Sequence, residues 1–291
     1  CRPALFVKLT NMGIGGNFFH TILNMYSNDE IAIKINGKIT KYLECNIGVK
    51  QGDSLSSMLF NIFLNDLPEV FTHPDCKPAK IDHELISCLL YADDLVLFSE
   101  TEDGLKKSLT LLNDYCKKWK LHINTKKSKI MIFNTKTKNL GTFKIDNQHI
   151  EIVSEYKYLG LQITKSGSLT TAINTLSQKA LKATYSLNNI LYSNSYMPID
   201  IHLKCFDSLI RPILTYGCEV WGPSLLHNET TFKTNIIDDR SKPELLHLKF
   251  LKRLLGVNGK ASNIGTRSEL GRLPIISYIS EQIMKYHVRL E

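Results

Sequence analysis

The sequence predicts an α+β fold, in which antiparallel hairpins and helices come first and an all-helical part follows. Three observations predict it. Short apolar runs joined by tight turns recur up to about residue 165. Amphipathic helical stretches lie between them. After Gly167 the strand pattern stops and only helical periodicity remains.

The elements follow in order. "CRPALFVKLTNMGIGG" spaces Leu5, Phe6 and Leu9 for a helix that stops at glycines. "NFFHTILNMYS" predicts a second short helix with Phe18, Ile22 and Met25 on one side. In "EIAIKINGKITKYLEC", Ile31, Ile33 and Ile35 alternate and Asn36-Gly37 makes a hairpin turn. "GVKQGDSLSSMLFNIFLNDLPEVF" is a turn and then a helix, capped by Asp53 or Ser54, with Leu55, Leu59, Phe60, Phe63 and Leu67 to bury. "ELISCLLYADDLVLFSE" is a strand, a tight turn and a strand. "TEDGLKKSLTLLNDYCKKWKL" is an amphipathic helix with Leu105, Leu109, Leu112 and Cys116 on its inner stripe. "KSKIMIFN", "TFKIDNQHIEIV" and "YKYLGLQIT" complete a small β region. Two long helices then follow in "SLTTAINTLSQKALKATYSLNNIL" and "MPIDIHLKCFDSLIRPILTYG". A polar loop, "HNETTFKTNIIDDRSKPE", leads to three shorter helices near 244–256, 266–272 and 275–290. The expected division is 1–165, 166–225 and a C-terminal helical segment 226–291 of unassigned role.

The chain has 291 residues and a net charge of +8, which suits a polyanionic partner such as nucleic acid. A basic protein without such a partner is the common alternative. Seven cysteines at wide spacings, with no C-x-x-C, argue for free thiols and against a disulfide frame or zinc ribbon. No histidine pair has zinc-ligand spacing. No apolar run reaches the length of a membrane span, so no membrane partner or signal peptide is expected, and an intracellular place, nucleus or cytoplasm, is.

Asp93 and Asp94 carry the chemistry. Apolar strands on both sides fix their turn, and a divalent cation relieves the repulsion between them. Hard oxygen ligands suit Mg²⁺, with Mn²⁺ as a substitute. Two such ions, roughly 3.5–4 Å apart, can activate a 3′-hydroxyl and stabilise departing pyrophosphate. A plain surface turn is the competing reading. Asp238-Asp239, in a polar loop beside Arg240, serves as the internal control and is expected to be solvated.

"YADD" between apolar strands resembles the metal-binding turn of reverse transcriptases. "GVKQGDSLSSMLFNIFLNDL" resembles that family's palm helix, "LHINTKKSKIMIF" its lysine-bearing segment, and "YKYLGLQI" its primer-grip hairpin. The four occur in the family's order, and with "LIRPILTYGCEVWG" their wording is closest to non-LTR (LINE-type) retrotransposon enzymes. The resemblance implies a partial right-hand polymerase palm followed by a helical thumb-like region. It implies an RNA-directed DNA polymerase, a nucleotidyltransferase that uses an RNA template, a DNA primer and deoxynucleotides. It also assigns roles. Asp93 and Asp94 hold metal, and Lys127 protonates the leaving pyrophosphate, with Asn124 shaping its turn. Gln51, Gly52, Tyr91 and Ala92 position the nucleotide and the templating base. Tyr158, Leu159 and Gly160 hold the primer end. Ser57 stands where the family usually has proline.

The residues allow blander readings beside these. Gly52 can be a plain turn before a helix, and the run Lys117, Lys118, Lys120, Lys126, Lys127 and Lys129 a solvated surface. Lys126 and Lys129 are expected to touch solvent or backbone phosphates. Trp119 reads as a packing residue, and Lys179, Lys182, Lys204 and Arg211 as weak candidates for phosphate contact. A third carboxylate of the family's metal site has no counterpart after an apolar strand: Asp29 lies in a polar turn, Asp53 is a helix cap, Asp66 is on the helix that resembles the palm helix, and Asp75 and Asp82 lie in a Pro-rich or polar loop. The opening at Cys1 leads to the expectation of an N-terminally truncated fragment that lacks the fingers, the first catalytic strand and activity by itself. Its hairpin should then expose an edge. A catalytically inert nucleic-acid-binding remnant is the alternative.

Overall fold

The computed structural model describes residues 1–27, 29–50, 52–133, 141–192, 197–226, 230, 234 and 239–291. Its contacts form two compact units. The first is Cys1–Ile130 with Thr137–Ile152, and the second is Val153–Glu291 with the short segment Met131–Lys136. The hairpin Glu155–Tyr158 with Leu161–Thr164 therefore stands with the helices rather than with the earlier strands.

The first unit is built on the helices Arg2–Asn11, Gly16–Tyr26, Ser54–Leu64 and Glu102–Trp119. Leu5, Leu9, Ile22, Leu59, Phe63, Leu67, Phe71, Leu112 and Tyr115 form its core. Asp53 caps the helix Ser54–Leu64 by accepting from Leu55 N–H at 3.1 Å. Thr101 caps the helix Glu102–Trp119 through Gly104 N–H at 3.1 Å, and left-handed Lys120 ends it. Trp119 packs edge-on to Phe63, as a packing residue does. Lys8 is buried against Phe63, Tyr115 and Trp119 and donates to the Phe63 carbonyl, Asp66 and the Tyr115 hydroxyl. Burial pushes the Lys8 amine below its ordinary range. Burial would raise the Asp66 carboxyl, but its hydrogen bonds from Lys8 and Tyr115 outweigh that and hold it low.

Two sequence expectations fail here. On Gly16–Tyr26 the inward residues are Ile22 and Tyr26, while Phe18 and Met25 are exposed. Tyr26 is drawn inward because its ring lies under the Arg2 guanidinium and its hydroxyl is 3.3 Å from Ser56. Asn36-Gly37 does make the left-handed turn between Lys34–Ile35 and Lys38–Ile39. However, Ile31, Ile33, Ile35 and Ile39 are all more than half exposed, so the alternation there marks no buried face.

The strands make small separate sheets rather than one palm sheet among the described residues. Phe143–Ile145 pairs antiparallel with Gln148–Ile152, which pairs in parallel with Lys129–Ile130. Among its described residues the second unit has helices and one hairpin. Thr170–Tyr192, Lys242–Leu254 and Ile275–Leu290 surround a core of Leu176, Phe206, Leu214, Trp221, Phe250, Leu251 and Ile279. The 242–290 helices thus share one core with the 170–225 helices. The second long helix is broken into Ile199–Cys205, a π turn at Phe206–Ile210 and Arg211–Leu214. Pro212 accounts for the break, because its ring displaces the carbonyl four residues back. No helix among the described residues is long and apolar enough to cross a membrane.

Candidate functional site

The hairpin carrying the two aspartates pairs Cys88–Tyr91 with Asp94–Leu97. Its register is Cys88↔Leu97, Leu89↔Val96, Leu90↔Leu95 and Tyr91↔Asp94. Opposed residues share a face and the faces alternate. Cys88, Leu90, Leu95 and Leu97 therefore form one face, and all four pack on the first core. Leu89, Tyr91, Asp94 and Val96 form the other. Leu89 is 48% exposed and Tyr91 65%, so this second face is open. Asp94 stands on the open face, and Asp93 follows Ala92 in the two-residue turn. Both carboxylates are exposed, at the tip of strands that are half-buried rather than buried.

The turn itself is strained. Ala92 has φ of +53°, a left-handed conformation. That costs a residue with a Cβ about 1–2 kcal/mol. The core-facing side chains hold the strands in register, and the register holds the turn. Among the described residues neither Asp93 nor Asp94 has an ion pair or side-chain hydrogen bond. Nor do any three His, Cys, Asp or Glu side chains group as metal ligands. The two aspartates are thus a pair of free hard-oxygen donors, which fits part of a divalent-metal site.

Gly52 precedes the capped helix with φ of +85°, and nothing lies within 4 Å of where a Cβ would be. Its backbone conformation requires glycine, and the space in front of it is open. Gln51 lies outside the described residues. Lys127 is exposed in a turn shaped by Asn124, whose carbonyl and Oδ1 accept from Lys127 N–H at 3.0 and 3.2 Å. The rest of the lysine run is partly committed. Lys129 bonds Glu151 at 2.6 Å, which corrects its reading as a solvent or phosphate contact, and Lys117 bonds Asp146 at 2.9 Å. Of the candidates in the helical part, Lys204 pairs with Asp200 and Arg211 with Asp207, while Lys179 and Lys182 are exposed.

In the second unit, Tyr158 pairs with Leu161 across a turn in which Leu159 (φ +44°) and Gly160 (φ +89°) are both left-handed. This is the primed turn that matches hairpin twist. A Cβ on Gly160 would meet the Tyr216 ring at 2.8 Å. The close approach expected at this glycine is therefore made by the chain's own tyrosine.

Residues 2–163 match the family described as reverse transcriptase (RNA-dependent DNA polymerase). The chain belongs to the reverse transcriptase family. This reverse transcriptase chain is 23% identical over 298 residues to the RNA-directed DNA polymerase from mobile element jockey of Drosophila funebris, a match covering 100% of this chain and 30% of that protein. It is 26% identical over 282 residues to the retrovirus-related Pol polyprotein from type-1 retrotransposable element R2 of Popillia japonica, covering 88% and 43%. It is 25% identical over 213 residues to the probable RNA-directed DNA polymerase from transposon BS of Drosophila melanogaster, covering 70% and 23%. The chain spans less than half the length of each of these relatives. The likeness to non-LTR retrotransposon enzymes read from the motifs agrees with these mobile-element relatives.

Sequence reasoning missed two things. It gave Tyr216 no role, although "TYGCEVW" breaks a helical pattern with a glycine, a signal of backbone specialisation. It also took Asp238-Asp239 as solvated. Asp238 lies outside the described residues, but Asp239 is 6% exposed and accepts from Arg267 at 3.1 and 3.0 Å and from Asn263 at 3.1 Å. Arg267 also binds Glu244 at 2.9 Å. No local pattern marks this, because both partners come from a helix well downstream.

Proposed function

We propose that this chain carries the palm-centred part of a non-LTR retrotransposon RNA-directed DNA polymerase. Asp93 and Asp94 hold divalent metal, Mg²⁺ or Mn²⁺, for nucleotidyl transfer. What chiefly supports this reading is the hairpin. Two adjacent carboxylates, free of cationic partners among the described residues, sit at a strained tip whose other face is anchored in a core. When bound, the metal supplies charge neutralisation at the attacking 3′-oxygen and the departing pyrophosphate.

The other roles are the chain's own. Asp93 and Asp94 orient the nucleotide phosphates through what they bind. Tyr91, exposed and opposite Asp94, and Ala92 flank the incoming deoxynucleotide, with Gln51 and open Gly52 beside the templating base. Lys127 donates a proton to pyrophosphate. Tyr158, Leu159 and Gly160 hold the DNA primer end on an RNA template. Among the described residues no third carboxylate joins Asp93 and Asp94, and in this reading the polypeptide by itself does not extend a primer.

Two measurements test the reading. Mn²⁺ binding followed by paramagnetic resonance should be lost in Asp93→Asn and Asp94→Asn. Retained binding in both variants would remove the metal assignment. Primer extension on an RNA template should be absent for the 291-residue chain. Robust extension would show that two carboxylates suffice. Binding of template–primer duplex without any metal response would favour the inert nucleic-acid-binding remnant.

A further inference from the structure

We propose that Tyr216 is a positioning residue that sets the turn of the Tyr158–Leu161 hairpin, and through it the place of the primer's 3′ end. The inference rests on the reading of this hairpin as the primer-holding element.

The geometry is a clamp on one turn. The Tyr216 hydroxyl donates to the Leu159 carbonyl at 2.8 Å. Its ring lies flush against Gly160, where a Cβ would come within 2.8 Å of ring carbon. The next residue, Gly217, has φ of +62°, and a Cβ there would meet the Leu161 methyl at 2.9 Å. The turn is thus gripped at three successive residues, Leu159, Gly160 and Leu161. The clamp is itself anchored. Trp221, fully buried in the helical core, donates its indole N–H to the Tyr216 carbonyl at 2.8 Å.

The clamp has something to oppose. Leu159 is left-handed at φ +44°, a conformation that disfavours a side chain with a Cβ. It leaves the Leu159 carbonyl pointing out of the hairpin ladder, where a hydroxyl can take it. A strained residue persists only when its surroundings over-determine it. Here the surroundings are Tyr216 and Gly217. The helical part therefore fixes the conformation of the hairpin tip, and a primer end resting on that tip inherits the position.

The test uses Tyr216→Phe, which keeps the ring and removes the one hydrogen bond. Amide exchange at Leu161 should rise about tenfold, with the amides of Glu155–Lys157 unchanged and the thermal midpoint lowered by no more than about a few degrees. A tyrosine that only supports the hairpin as a whole would raise exchange at all its amides alike. Unchanged exchange at the turn overturns the clamp. The consequence for the primer is read from the affinity for a duplex with a recessed 3′ end relative to a blunt duplex. That ratio should fall about threefold or more in Tyr216→Phe, with blunt-duplex affinity unchanged. If exchange rises while the ratio stays at its wild-type value, the positioning role is overturned. If the wild-type chain shows no preference for the recessed end, the primer-holding reading itself fails, and the positioning role falls with it.

Discussion

Two adjacent-aspartate sites occur in this chain, Asp93-Asp94 and Asp238-Asp239, and their surroundings separate them more than their sequences do. Asp239 is buried and bonded by both outer nitrogens of Arg267, beside fully buried Glu244. Burial would lower the Arg267 pKa, but its hydrogen bonds and charge contacts with Asp239 and Glu244 outweigh that and raise it. Such a carboxylate is spent on structure. Asp93 and Asp94 are exposed, without a cationic partner among the described residues, on a turn that is strained rather than relaxed. Their negative charge remains available for a ligand. A charge that the fold has already neutralised cannot hold a metal, and one that it leaves open can.

The contrast can be broken by substitution. The largest effect is expected at Asp239→Asn, which keeps a side chain tolerant of the left-handed φ of +54° but leaves Arg267 short of one charge. Unfolding by urea should show a loss of about 3 kcal/mol. A loss below about 0.5 kcal/mol would mean that Asp239 is no more structural than Asp94.

Acid extends the same comparison to a half-buried carboxylate, Asp207. Burial would raise the Asp207 pKa, but the Arg272 hydrogen bond outweighs it and holds the group below its ordinary range. A depressed folded pKa gives stability that is complete above the unfolded value of about 3.9 and is lost as pH falls through the folded one. Asp207→Asn should therefore lower stability near neutral pH and flatten the decline below about pH 4. An acid limb that is identical in the variant contradicts the assignment.

Ala92→Gly sharpens the other side. Relief of the left-handed strain should raise stability by about 0.5–1 kcal/mol in urea unfolding. A destabilised variant would show that Ala92 is not strained. The smallest effect is expected at Asp94→Asn, within about 0.5 kcal/mol of the parent in the same measurement. A large loss there would place Asp94 among the structural carboxylates.

Much of the fold was legible because it is local. The Asp53 and Thr101 caps, the Asn36-Gly37 turn and the stripe of Leu109, Leu112 and Cys116 follow from neighbours a few residues apart. The aspartate hairpin was legible for the same reason, since alternation and a two-residue turn fix its register. The inward face of Gly16–Tyr26 was not, because Arg2 and Ser56 choose it from other elements. Lys129 was misread because Glu151 reaches it only once their strands pair.

By itself, then, the sequence determined the order of elements, the caps and turns, and the pair of carboxylates at a hairpin tip, which carry the family's motifs. Tertiary structure alone decided which charges are free. It sank Asp239 onto Arg267, left Asp93 and Asp94 open, and set Tyr216 against Leu159 and Gly160. The physical reason is distance along the chain. Backbone propensity and periodicity act over a turn or a strand, whereas the partner that neutralises a charge or clamps a strained turn arrives from tens of residues away.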